Sequence, residues 1–123
     1  MIEGIGTDII EIERIEQSIL RYGQRFLDRV FTLKEQAYCT RHRDAQSHFA
    51  GRFAAKEAIV KAIGSGFGES ISWLDIEIVN DVRGKPTVIL SPALGNLVGP
   101  THIDISISHC REYAVAFAVR TPV

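Results

Sequence analysis

The sequence predicts an α+β domain, a mainly antiparallel sheet with helices segregated to the N-terminal half. Three observations carry this. Apolar residues recur at helical spacing up to residue 63, strand-length apolar runs follow from Asp75 onward, and the polar segments NDVRGKP and HCRE join those runs in pairs. A chain of 123 residues fits one domain, residues 1–123, around a single core.

MIEGIGTDI opens the chain as a strand that joins the sheet. Ile12, Ile15 and Ile19 share a helical face, and Gly23 breaks that helix before a second apolar set at Phe26, Leu27 and Val30. Thr32 followed by Glu35 is a capping box, opening a short helix through Tyr38. The clearest helix runs from about Ser47 to Ile63, with Phe49, Phe53, Val60 and Ile63 in one apolar stripe and Gly64 as its stop. GSGFG then connects to the strands DIEIV, TVIL, HIDISIS and YAVAFAV. Ser91 before Pro92 is an N-cap with a first-turn proline, which puts a short helix between the two hairpins.

Composition excludes several function classes. Hydrophobic residues make up 46% and charged residues 24%, and no apolar run reaches the roughly 18 residues of a membrane span. The amino terminus has no basic leader before a long apolar run, so a cytoplasmic location is expected. A net charge of -1 argues against nucleic acid as a partner held by bulk positive charge. Cys39 and Cys110 have neither zinc-site spacing nor the density of a disulfide scaffold and read as spectator thiols. Positive charge is concentrated locally, with ten of the 14 Lys and Arg residues at or before Lys61.

Within GRFAAKEAIVKAIG, Glu57 and Lys61 project from one helical face, as either a surface ion pair or part of a phosphate pocket. Lys56 falls inside the apolar stripe, where it must snorkel, find an acidic partner or meet an anionic ligand, and Arg52 lies one turn earlier. A helix presenting Arg52, Lys56, Glu57 and Lys61 is suited to lining a phosphate site. Asp8, at the end of the first strand, either caps the following helix or offers its carboxylate to a cleft. Two carboxylates completed by water and phosphate oxygens suit Mg²⁺, which seldom takes a cage built wholly of protein. His109 ends an alternating strand and is open to a structural or a functional reading. The GSGFG glycines meet the C-terminal end of a helix, the wrong end for a phosphate loop. Arg14, Arg21, Arg25 and Arg29 would share one side of a straight helix, as a solvated face or as a docking stripe for an acidic helix.

GIGTDIIEIERI at residues 4–15, GRFAAKEAIVKAIGSG at 51–66, WLDIEIVNDVRGKP at 73–86 and SISHCREYAVA at 106–116 closely resemble, in order, the holo-acyl-carrier-protein synthase family of phosphopantetheinyl transferases. The resemblance implies the 4′-phosphopantetheinyl transferase fold, a homotrimer with coenzyme A in clefts between subunits, and transfer of phosphopantetheine to a serine of apo acyl carrier protein for fatty acid biosynthesis. By resemblance Asp8 and Glu57 match the Mg²⁺ ligands, and Lys61 matches the lysine that contacts the phosphates. Glu57 is then the candidate for activating the serine, directly or through a metal-bound water. Arg52 and His109 fall at the nucleotide end, near its 3′-phosphate, and Arg14, Arg21 and Arg25 on the surface that receives the carrier protein. Two other classes stand beside this one. A Mg²⁺-dependent nucleotide pyrophosphatase would use the same groups with water as nucleophile, and a non-enzymatic docking module would use the basic helix alone.

Overall fold

The computed structural model describes residues 1–68 and 70–123. In chain order the elements are β1 (Gly4–Glu11), α1 (Ile12–Tyr22), α2 (Gln24–Val30), α3 (Leu33–Thr40), α4 (Ala45–Ile63), β2 (Ile76–Asn80), β3 (Pro86–Leu90), α5 (Pro92–Val98), β4 (His102–His109) and β5 (Tyr113–Thr121). The α+β class, the antiparallel pairing and the grouping of four helices before residue 64 agree with the sequence.

The strands do not form one sheet, however. β1, β5 and β4 make a three-stranded sheet in that order, and β2 pairs with β3 alone. α5 lies between β3 and β4, and a groove of about 300 Å³ separates the flanks of these two strands. Asp8 lies inside β1, which continues to Glu11, and the residue preceding α1 is Glu11; the helix-cap reading of Asp8 is therefore wrong.

α4 lies across the larger sheet, and small residues let it approach closely. Successive side chains of a strand alternate faces, so Gly4, Gly6, Asp8 and Ile10 share one side of β1. A Cβ on Gly4 would collide with the carbonyl oxygen of Ala62, and one on Gly6 with that of Ala58. Ala114, Ala116 and Ala118 of β5 and Ala54, Ala58 and Ala62 of α4 are all buried. A second core joins α1, α2 and α3 to the start of α4, with the rings of Phe31 and Phe49 4.9 Å apart. Cys39 is buried in it, where desolvation pushes the thiol up to about 12, whereas Cys110 is exposed after β4.

Gly23, at a φ of 58°, bends the chain between α1 and α2. Arg14 and Arg21 therefore belong to one helix and Arg25 and Arg29 to another, and the straight four-arginine stripe does not form.

Lys56 is 0% exposed and Glu35 1%. Lys56 Nζ donates to Glu35 Oε1 at 2.8 Å, to the Val30 carbonyl at 2.7 Å and to the Trp73 carbonyl at 3.2 Å, which occupies all three ammonium protons. Glu35 accepts in addition from the backbone N–H groups of Thr32 and Ile78, tying α3 to α4 and β2. Burial lowers the pKa of Lys56, and the charge and hydrogen bond of Glu35 oppose that shift. Of the partners open to a lysine in an apolar stripe it has the acidic one, so Lys56 is a structural residue rather than part of a phosphate pocket.

Candidate active site

Asp8 and Glu57 line one groove of about 430 Å³, together with Arg14, Phe53, Glu11 and Tyr113. The local reason is the glycine pattern of β1: Gly4 and Gly6 seat the strand against α4, and Asp8, next on the same side, lines the groove with Glu57 of the helix. Lys61 closes the same edge. Its Nζ donates to the Thr7 carbonyl at 2.9 Å and to Asp8 Oδ1 at 3.3 Å, so it pairs across to β1 rather than with Glu57 along its own helix. The Lys61 side chain is 53% exposed and that of Asp8 20%, which discounts the stabilising value of this pair but leaves the ammonium accessible.

Burial raises the pKa of Glu57 above the ordinary glutamate range, the negative charge of Asp8 raises it further, and Lys61 pulls it down. Asp8, Glu11 and Glu57 outnumber the two cationic groups beside them, Arg14 and Lys61, which favours a further cation at the groove. Hard oxygen ligands, few in number and partly open to solvent, fit Mg²⁺, which keeps several waters. Among the described residues there is no cluster of three or more His, Cys, Asp and Glu suited to a metal.

Arg52 and His109 meet at a second groove, of about 200 Å³, whose wall also includes Tyr38, His48 and Asn80. Arg52 is 4% exposed, stacks its guanidinium on the Tyr38 ring at 4.1 Å and donates through Nη2 to Asn80 Oδ1. Its Nε is the one buried side-chain nitrogen or oxygen without a hydrogen-bond partner among the described residues. A buried, charged donor left unpaired in a groove wall is suited to an anionic ligand. Residues 52 and 57 lie about 7.5 Å apart along α4 and about 140° apart around it, so the two grooves open on different sides of the helix.

The fold thus brings Asp8, Glu57, Lys61 and Arg14 together and, separately, Arg52 and His109. Arg21, packed beside Tyr22 at 5.4 Å, and Arg25 line neither groove. Glu11, Tyr113, Tyr38, His48 and Asn80 were not singled out by sequence. For His48 the available signal is its position one helical turn before Arg52, whereas Asn80, the last residue of β2, opens the polar run NDVRGKP, which has no distinguishing pattern.

A family model described as the 4′-phosphopantetheinyl transferase superfamily matches residues 4–118. The chain is 61% identical over 116 residues to holo-[acyl-carrier-protein] synthase of Protochlamydia amoebophila, covering 94% of this chain and 95% of that protein. It resembles the crystal structure of Helicobacter pylori holo-[acyl-carrier-protein] synthase in complex with coenzyme A at a TM-score of 0.89 and 36% identity, covering 95% of this chain and 99% of that one. A holo-(acyl-carrier-protein) synthase from Bacillus anthracis in complex with CoA (3′,5′-ADP) matches at a TM-score of 0.85 and 42% identity, covering 100% and 99% respectively.

Proposed function

The chain belongs to the 4′-phosphopantetheinyl transferase superfamily, and on that premise we propose that it transfers 4′-phosphopantetheine from coenzyme A to a serine of apo acyl carrier protein, in support of fatty acid biosynthesis. The observation that carries the reading is the convergence of Asp8, Glu57 and Lys61 at the α4–β1 edge. The serine oxygen attacks the phosphorus that bears pantetheine, its bond to the bridging oxygen of the pyrophosphate breaks, and adenosine 3′,5′-bisphosphate leaves. Glu57 lines the groove beside Asp8 and is the candidate to take the serine proton. Lys61 presents its exposed ammonium to the charge gathering on the leaving oxygens. Asp8 and Glu57 would hold Mg²⁺, which when bound supplies positive charge to the pyrophosphate. Arg52 and His109 are assigned to the 3′-phosphate, for which the unpaired Nε of Arg52 is the support.

We place the enzyme in the cytoplasm, with coenzyme A and the carrier protein; among the described residues no helix is long and apolar enough to cross a membrane. It is assigned as a homotrimer with intersubunit active sites. Ile5 and Ile9 of β1 and Val115 and Phe117 of β5 form an exposed apolar patch on the sheet face turned away from α4, which is suited to an interface. A ligand that engages both grooves meets them most directly on neighbouring protomers, because they open on different sides of one helix. Arg14, Arg21 and Arg25 are assigned to the acidic carrier protein, with Arg14 beside the carboxylates.

The test is intact mass spectrometry of apo acyl carrier protein incubated with coenzyme A and this protein, with Mg²⁺ or with chelator. A phosphopantetheine-sized gain in mass that requires metal is expected. No gain with several carrier proteins competent for other transferases would overturn the assignment.

A further inference from the structure

Four rings form a continuous wall from α3 to β4. Tyr38 packs on His42 at 4.7 Å, His42 stacks on His48 at 3.8 Å with 27° between their planes, and His48 meets His109 edge-on at 5.6 Å. His42 Nδ1 lies 2.9 Å from the Tyr38 carbonyl, which can only accept, so Nδ1 is the donor and its ring is held in place beside His48. Arg52 sits on the other partner of the wall, over Tyr38, in the groove shared by His48 and His109.

The charges around His48 come from every neighbouring element. His42 in the turn after α3, His109 on β4 and Arg52 on α4 all disfavour a proton on it, and Asp44 before α4 opposes them. Tyr38 faces the cluster with its ring 5.8 Å from that of His48, and Arg41 lies over it at 5.3 Å. Burial is the largest influence, and with the three positive or ionisable neighbours it holds His48 below the ordinary imidazole range. A phosphate dianion in the groove reverses the balance, because its negative charge offsets the repulsion among Arg52 and the imidazoles.

We infer that His48, backed by His42, is a proton-accepting positioning residue of the terminal-phosphate subsite, so that coenzyme A binding draws a proton onto the imidazole wall and affinity rises as the pH falls. This rests on the assignment of the 3′-phosphate to Arg52 and His109. The sign follows from linkage. The free protein holds the proton only at low pH and the complex holds it at higher pH, so between the two pKa values binding takes up a proton and tightens by at most about tenfold per pH unit. Below about pH 6 the phosphate gains its own proton, which removes the gain.

The experiment is calorimetric titration of the full chain with coenzyme A and with 3′-dephospho-coenzyme A, at about pH 8 and about pH 6.5, in buffers of different ionisation enthalpy. Wild type should bind coenzyme A several-fold more tightly at the lower pH with net proton uptake, and 3′-dephospho-coenzyme A should show neither effect. His48→Phe, which keeps a stacked ring, and His48→Gln should each lose most of the pH dependence, and in turnover the wild-type KM for coenzyme A should follow pH while kcat does not follow the same curve. Equal proton uptake in wild type and both variants, or equal pH dependence for the two ligands, overturns the inference and leaves the transfer reaction intact. Failure of coenzyme A to bind at either pH overturns the transferase assignment, and the inference with it.

Discussion

Asp8 and Glu57 face one another across the α4–β1 contact, and the charge of Asp8 adds to burial in raising the Glu57 pKa. The residues suited to the chemistry are thus held in mutual conflict in the metal-free protein, relieved in part by Lys61 at 3.3 Å from Asp8.

Glu57→Gln should therefore raise Tm in the presence of chelator while removing transfer activity. The sign follows from the direction of the shift. A carboxyl whose folded pKa lies above its unfolded value costs stability once it ionises in the folded state, and that cost fades as the pH falls through the folded pKa to the ordinary value. The gain in Tm should be largest near neutrality and vanish toward about pH 4. Adding Mg²⁺ should raise Tm of the wild type and not of the variant; a variant less stable than wild type at neutral pH would contradict the conflict.

Gly6→Ala should separate β1 from α4, because the added methyl group meets the backbone carbonyl of Ala58 and not a side chain that can turn aside. A displacement of order 1 Å at Asp8 would lower kcat/KM by roughly 100-fold. Steady-state kinetics beside near-unchanged far-ultraviolet circular dichroism is the expected pair of results, and kinetics at wild-type level would show that the close approach does not set the site.

Lys56→Met should destabilise the fold by about 3–5 kcal/mol in denaturant titration, since it leaves Glu35 buried without its ionic partner. Combining it with Glu35→Gln should recover part of the loss, which a double-mutant cycle measures. Strict additivity of the two changes would mean that the pair is not coupled.

Arg21→Glu with Arg25→Glu should raise the KM for acyl carrier protein and weaken its dependence on ionic strength, while calorimetry finds coenzyme A affinity unchanged. Neither arginine lines the Asp8 and Glu57 groove or the Arg52 and His109 groove, so a change in coenzyme A affinity would place them in a different role.

Phe117→Glu should break the assembly, because Phe117 lies at the centre of the exposed apolar patch with Ile9 and Val115. Sedimentation should find the wild type at three times the mass of the variant. A wild-type monomer would remove the trimer assignment.

Local signals in the sequence read well where the cause is local. The Thr32 capping box, the Ser91 cap with Pro92 and the alternation of Ile103, Ile105 and Ile107 against Asp104, Ser106 and Ser108 are all present in the structure. Long-range causes were illegible. The buried partner of Lys56 lies on α3, the division into two sheets depends on how β3 and β4 pack, and the proximity of Asp8 to Glu57 depends on the contact of Gly6 with α4. The site residues were named through resemblance, whereas spacing alone left Asp8 between a cap and a ligand.

Lys56 and Glu57 are neighbours on α4 that face different surroundings, one locked by three buried hydrogen bonds and the other lining a groove. Successive helical residues differ by about 100° around the axis, so the lock on Lys56 also fixes the azimuth of Glu57. α4 cannot rotate to meet a ligand without breaking a buried ion pair. In native-state hydrogen exchange the central amides of α4 should therefore open only with global unfolding.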